Sequence, residues 1–490
     1  MSMFWEQFST EEWRDFEDSI MERMQEHLDT SIGNMSRESY HTDFLEDLTD
    51  EFQEEWTDMG YIDIEEDTDA DARIIQEASI RTEIFELLED YAHSFFLCTN
   101  VPPRYIAFSK SKHTSNNQID AISQKLGQLK DTPQPEQRSL EWYEFRNNLI
   151  TASNLWKIFG SEAEYNQLIF EKCQGKRERS LSIDYEGGSS TPSKQIMDNT
   201  YVNTASPMHW GVKYEPLTIM LYEELNGVKV GAFGCIMHPT HPFIGASPDG
   251  IVVGPEDSGL YGRMVEIKNI VNRDITGSPS EAYWIQMQIQ METCDLDLCD
   301  FIETRFKEYS STKEYSSTKE YSSMEPEQSP EEQFYGEQDE TRRRGVILYF
   351  LKSGISTPHY RYMPLDISLT RESVGEWIET TKQQAYEENK WVLYETHYWY
   401  LDEYSCVTVE RNRQWYEWAI PHIRDTWDTI LKERVEGYEH RAAKKRGGNS
   451  SQDTIQVLHS LESTTQYIRN FPVTQNICLI KLDENGNVCS

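Results

Sequence analysis

The first hundred residues contain no lysine, and set five arginines against 29 aspartates and glutamates. A segment so short of cations is a poor non-specific binder of polyanions. That counts against nucleic acid as its partner, but not against a locally basic groove later in the chain. Cys-x-x-Cys is also missing. The eight cysteines are scattered from Cys98 to Cys489, with no His/Cys spacing suited to zinc or an iron–sulfur cluster. Such usage fits a reducing, intracellular compartment. No run approaches the roughly 18 consecutive apolar residues of a membrane span. Met1–Glu6 carries no basic stretch ahead of an apolar core, so neither a membrane span nor a secretory signal is expected.

What is present is a long acidic chain of ordinary apolar content. Its 490 residues carry a formal net charge of −39, with 37% hydrophobic and 12% aromatic residues. That is enough for a large core in two or three structural units. Residues 1–108 read as an acidic helical module. Ser9-Thr10-Glu11-Glu12 has the form of a capping box, and Trp13, Phe16, Ile20, Met24 and Leu28 follow at helical spacing. Phe44, Leu45, Leu48, Phe52 and Trp56 make a second such stretch, and Ile84, Leu87, Leu88, Tyr91 and Phe95 a third. The plain reading is a small bundle with a solvated acidic surface. The sharper one is a partner-binding or DNA-mimicking arm that masks a basic groove. Residues 109–138, rich in Ser, Asn, Gln, Lys and Pro, read as a linker.

From Ser139 the texture changes, and a core is expected over residues 139–370. Its centre is Ser247-Pro248-Asp249-Gly250, an apolar run, a glycine-rich turn, and Val265-Glu266-Ile267-Lys268. Pro-Asp-Gly signals a turn and the flanking residues are β-formers, so a hairpin or close strand pair is expected. Alternation along a strand puts Glu266 and Lys268 on one face, Val265 and Ile267 on the other. Neighbouring strands lie about 4.8 Å apart, so Asp249 can converge with Glu266 on one small volume. Two carboxylates there suit a hard divalent cation that keeps several waters. Lys268 can steer or deprotonate a water. These parts suit metal-assisted hydrolysis of a phosphodiester, with one metal or with two about 3.5–4 Å apart. Asp followed by Glu-x-Lys also arises by chance on polar strand faces, so the flanking elements decide.

Trp142, Phe145 and Leu149 open a helix on which Arg146 offers a planar fork for an anion. Thr151 or Ser153 can cap the next helix, whose free N–H groups attract the same anion. A capped helix with a surface arginine is the simpler alternative. Residues 177–206 read as a polar loop. Glu215, in Trp210-Gly211-Val212-Lys213-Tyr214-Glu215-Pro216, is expected to open a helix at the positive end of its dipole. It is either an ordinary first-turn acid or a third carboxylate for the metal. Gln286 and Gln290 lie one turn apart on a helical stretch from Ala282 to Met291. Glutamine there can orient a water or contact a phosphate without adding charge; solvent-facing glutamines are the alternative.

Asp300–Phe306 and Gly345–Leu351 read as paired strands. Between them Glu-Tyr-Ser-Ser-Thr-Lys recurs from Glu308 and Glu314, and begins again at Glu320. A repeat of that composition cannot build a packed unit, so residues 308–341 read as a disordered insertion. Residues 371–445 read as a helical, aromatic-rich extension, with a short basic cluster at Arg441–Arg446, and residues 446–490 as a tail.

Taken in order, the elements resemble the YqaJ-type viral recombinases, the family of lambda phage exonuclease within the PD-(D/E)xK nuclease superfamily. The resemblance spans about Ser139 to Leu351. It rests on Trp142…Arg146…Ile150-Thr151-Ala152-Ser153, Trp210-Gly211…Tyr214-Glu215, Ser247-Pro248-Asp249-Gly250, Glu266-Ile267-Lys268 and Tyr283…Gln286-Met287-Gln288. It implies an α/β, restriction-endonuclease-like mixed sheet flanked by helices. It also implies a metal-dependent exonuclease acting on double-stranded DNA ends in recombination or repair. Asp249, Glu266 and the Ile267 carbonyl would bind Mg²⁺ or Mn²⁺, with Glu215 assisting. Lys268 and Gln286 would position the water, and Arg146 with Ser153 would hold a terminal phosphate. Duplex DNA is the expected partner, with a single-strand annealing or replication protein as a second, and a host cytoplasm or nucleus as the setting if the source is viral. Two rival readings are a structure-specific endonuclease and a catalytically silent interaction protein on the same fold.

Overall fold

Apolar residues three and four apart build the N-terminal helices. In the computed structural model, which describes residues 5, 8–62, 70–110, 116–135, 139–174, 203–204, 206–310 and 328–443, these are α1 (Thr10–Ser31), α2 (Tyr40–Asp58) and α3 (Ala70–Cys98). The capping box at α1 forms as expected: Glu12 N–H donates to Ser9 Oγ at 3.3 Å, and Ser9 N–H to Glu12 Oε2 at 2.8 Å. Ile20, Met24, Leu28, Phe44, Leu48, Phe52, Ile84, Leu88 and Phe95 are buried together, and this cluster continues into Trp284, Trp415 and Ile430 far along the chain. The acidic helices therefore share a core with residues of α-helices hundreds of positions later; they are not a detached arm.

The docking contacts are specific. A Cβ on Gly33 would collide with the Trp418 ring, so only glycine lets the turn after α1 lie on that indole. Ser36 Oγ donates to Glu281 Oε1 at 2.7 Å, and buried Arg104 donates to the carbonyls of Ser36 and Pro279.

Next come β1 (Ile106–Ala107) and α4 (Asn116–Asp131). The helix falls where a linker was expected. Its composition is polar, but Ile119, Ile122, Leu126 and Leu129 recur at helical spacing, and the last two are buried. The core then runs through α5 (Leu140–Asn147), β2 (Ile150–Thr151), α6 (Ala152–Leu155), α7 (Glu162–Cys173), α8 (Pro207–Asn226), β3 (Lys229–Gly231), β4 (Ile236–Met237) and β5 (Ile244–Ala246). It continues with β6 (Gly250–Gly254), β7 (Met264–Asn269), α9 (Glu281–Cys294) and β8 (Leu298–Glu308). The remainder is α10 (Pro330–Gly336), β9 (Arg344–Lys352), β10 (Ile355–Tyr362), α11 (Arg371–Asn389), β11 (Val392–Glu410) and α12 (Arg413–Glu436).

The main sheet has the order β10-β9-β11-β8-β7-β6-β3, with β1 added on β11. Only β7 and β8 run parallel in it. Helices flank this mixed sheet, as expected. A smaller sheet, β2-β5-β4, carries the approach to Asp249.

Three expectations need correcting. β8 and β9 are not partners, because β11 lies between them and pairs with both. The extension is thus not purely helical. Its Trp, Tyr, Val and Thr residues at 391–409 are β-formers, and they enter the centre of the sheet. Within 308–341, residues 311–327 lie outside the described residues, but Pro330–Gly336 is a capped helix with Phe334 fully buried against Tyr398. In the basic cluster, Arg441 is paired with Glu433, Lys444–Arg446 lie outside the described residues, and so does the tail at 446–490. Among the described residues no helix is long and apolar enough to cross a membrane.

Candidate active site

β6 and β7 form the expected antiparallel pair, with Gly250 opposite Val265 and Ile251 opposite Met264. Alternation then sorts the side chains. Val265 and Ile267 join Tyr222, Val252 and Ile302 in an apolar cluster. Glu266 turns to the other face and is 1% exposed.

There it meets α9. Gln286 Nε2 donates to Glu266 Oε1 at 2.7 Å, and Gln290 Nε2 to Oε2 at 2.8 Å. Lys268 Nζ donates to Oε1 as well. The i, i+4 spacing of the two glutamines places both amides on one buried carboxylate. Lys268 also stands 4.6 Å from the centre of the Tyr283 ring. Asp249, between β5 and β6, points at the neighbouring strand, where its Oδ2 accepts the Ile267 N–H at 2.7 Å.

Glu215 comes from α8. It does not open that helix, which starts eight residues earlier at Pro207 behind a Ser206 cap. Pro216 sits inside the helix, where its missing N–H leaves the carbonyl of Val212 without a helical partner. Glu215 is thus near the helix middle and gains little from the dipole.

The three acids feel one another. Burial, then the charge of Glu266, raises the Asp249 carboxyl well above its usual range, with Glu215 adding to the effect and Lys268 opposing it. The same two causes, in the same order, raise Glu215. Burial disfavours the Lys268 ammonium, but Glu266 and Asp249 outweigh it and hold the proton firmly.

Both oxygens of Glu266 are committed to protein donors, and so is one of Asp249. Among the described residues no group of three or more His, Cys, Asp or Glu side chains is arranged to hold a metal ion. The donor set nevertheless fits a hard cation in kind. It offers carboxylate oxygens, three acids to one ammonium, and an unused buried acceptor in Gln290 Oε1. A cation that keeps its waters would bring donors for that oxygen.

Arg146 and Ser153 flank β2. Arg146 stacks over Trp142 at 4.5 Å. Ser153 Oγ pairs with Thr151 Oγ1 at 3.2 Å, and neither hydroxyl caps α6. No hydrogen bond joins Arg146 to Ser153. The loop between α5 and β2 is held by two cations. Lys172 Nζ donates to the carbonyls of Arg146 and Leu149, both at 2.8 Å, and Arg434 donates to that of Asn147 at 2.6 Å. β2 runs parallel to β5, the strand that leads to Asp249.

Two residues outside the expected set belong to this region. Gln290 was legible from its spacing to Gln286. Arg273, on the loop after β7, carries no sequence signal: it reaches Glu303 across a strand pairing that local pattern does not reveal.

Residues 141–297 match the YqaJ-like viral recombinase domain. That span holds every residue proposed above for the site, from Trp142 to Gln290, and it stops before β8, short of Leu351. Among curated proteins, the chain is 26% identical over 334 residues to uncharacterized protein R354 of Acanthamoeba polyphaga mimivirus. The alignment takes in 63% of this chain and 54% of that protein, so the chain spans about half the length of the relative it matches. Among solved structures it is similar to an alkaline exonuclease (LHK-Exo) from Laribacter hongkongensis. The two are 17% identical with a TM-score of 0.30, over 62% of this chain and 95% of the other. The same enzyme in complex with dAMP gives 18% and 0.29, over the same shares.

Proposed function

We propose that the chain is a divalent-metal-dependent deoxyribonuclease, an exonuclease that degrades duplex DNA from its ends in recombination or repair. What supports this reading is Glu266 buried against Lys268, Gln286 and Gln290 with Asp249 on the adjoining turn at the β6–β7 pair, inside the segment that matches the YqaJ-like domain; Glu215 is near enough for the Glu266 charge to raise it. Asp249, Glu266 and the Ile267 carbonyl would hold Mg²⁺ or Mn²⁺, with Glu215 beside them. When bound, the ion supplies Lewis-acid polarisation of a phosphoryl oxygen and offsets the charge of the acids.

The chain's own groups do the rest. Lys268 and Gln286 both hold Glu266 Oε1, and would be released from it if that carboxylate held the ion. Both are then placed to orient a water for in-line attack on phosphorus. Lys268 enters this role protonated, as a donor that steers the water and stabilises the charge that develops. Arg146, stacked on Trp142, and Ser153 bind the terminal phosphate, which fixes how far the strand end lies from the acids.

The test is digestion of linear duplex with Mg²⁺ by the full chain and by Asp249→Ala and Glu266→Ala. Each variant is expected to lose on the order of a hundredfold to a thousandfold in rate. Undiminished cleavage by both would end the reading. Closed circular duplex serves as control: cleavage of it at the linear rate would favour the endonuclease alternative.

A further inference from the structure

Beyond the acids, one cation beside the pocket has no assigned task. Arg273 lies five residues after Lys268, on the loop that leaves β7. Its side chain is 44% exposed. It is held from below by Glu303 on β8, which is fully buried, through a contact of 2.5 Å from Nη2 to Oε1. The β7–β8 register places Glu303 directly beside Lys268. Arg273 and Lys268 also share one aromatic ring. Tyr283, on the first turn of α9, has Lys268 Nζ at 4.6 Å and the Arg273 guanidinium carbon at 5.9 Å from its centre. The backbone of Arg273 is fixed too, since Arg305 Nη2 donates to its carbonyl at 2.5 Å.

A buried carboxylate needs a counter-charge, and neutralising Glu303 is the plain explanation for Arg273. The geometry asks for more. The pair is made through one oxygen only, and Glu303 Oε2 is buried with no hydrogen-bond partner among the described residues. Of the five N–H groups on the guanidinium, one goes to Glu303 and one to the carbonyl of Asp274 at 3.1 Å. The others have no partner among the described residues. A fork dedicated to Glu303 would engage both oxygens. This one is held by a single bond from each terminal nitrogen and is 44% exposed, beside the ring it shares with Lys268. In a chain of net charge −39, long-range attraction cannot hold a polyanion, so local cations at the pocket must.

We propose that Arg273 is a substrate-binding residue: it grips a backbone phosphate of the DNA strand next to the phosphate facing Lys268, with Glu303 as its positioning residue. This rests on the nuclease reading above. It adds a contact that sets register along the strand, since two phosphates held by two cations on one ring fix which linkage meets the acids.

The experiment measures affinity of the full chain for a short blunt duplex in chelator, over a range of salt, and thermal stability alongside. Arg273→Ala alone would strand Glu303, so the decisive variant is the double Arg273→Ala/Glu303→Gln, which removes both charges. Compared with the native chain, it is expected to bind roughly tenfold more weakly. Its slope of log affinity against log salt should be shallower by about 0.9, one phosphate contact on duplex DNA. Arg273→Lys should keep most of the slope. A double variant with the native slope and affinity overturns the proposal and leaves Arg273 as a counter-charge. A native chain that neither binds nor cuts duplex overturns the nuclease reading and this proposal together.

Discussion

Carboxylates are most numerous in the three N-terminal helices and most constrained at the β6–β7 pair. In the helices they face water. Glu12 is the exposed capping-box partner of Ser9, and Arg23, itself 40% exposed, lies near Glu26, Glu51 and Glu55 across α1 and α2. At the strand pair Glu266 is buried, and each of its oxygens has a named donor in Lys268, Gln286 or Gln290. The number of acids in a region therefore says little about its chemistry. Burial and mutual distance decide whether a carboxylate is a solubilising group or a charge that demands a cation.

Removing one cation from each region should separate the two most widely. Lys268→Ala leaves the Glu266 charge buried with only amides beside it. In chelator this is expected to cost about 3–5 kcal/mol, measured by denaturant unfolding. Arg23→Ala among the helices should cost less than about 1 kcal/mol, because its pairs are exposed and screened. Equal losses would erase the distinction.

Acid acts on the two regions differently as well. We expect stability to fall on acidification through a buried histidine, His238, rather than through the exposed acids. Burial, then the charges of His241 and Arg411, push this imidazole down to about 4. Its Nδ1 accepts the N–H groups of Thr240 and His241, both at 3.2 Å, so its proton sits on Nε2 against Tyr416. A group depressed in the folded state favours folding above its unfolded pKa, near 6.5. That contribution is lost as pH falls from there towards 4, by on the order of 2–3 kcal/mol. Unfolding between pH 7 and 4 measures it, and His238→Gln should flatten the curve.

The smallest expected effect lies at the bundle's entrance. Ser9→Ala removes the cap on α1 and should cost about 1 kcal/mol or less in the same unfolding assay, without changing DNA cleavage.

Local spacing explains what could be read beforehand. Period two separates Glu266 and Lys268 from Val265 and Ile267, and period 3.6 aligns Gln286 with Gln290 and forms α1 to α3. These patterns need no knowledge of the rest of the chain. Pairing across long separations left no such trace. β11 lies between β8 and β9, although the chain passes from β8 to β9 before reaching it, and Glu303 supports Arg273 only because β7 and β8 run parallel. Composition also misled where periodicity would not have, since polar α4 carries its apolar stripe plainly. Glu215 shows a third limit: proline beside an acid suggests a helix start, but tertiary packing tolerates Pro216 inside α8.

As proposed, Glu215, Asp249 and Glu266 would take up one or two divalent cations at the expense of the Lys268 and glutamine contacts. Anomalous diffraction from crystals grown with Mn²⁺ tests it directly. A peak bonded to Asp249 and Glu266 is expected, with Lys268 withdrawn from the Glu266 carboxylate. A map without manganese there, and with Glu266 still held by Lys268, Gln286 and Gln290, would contradict it.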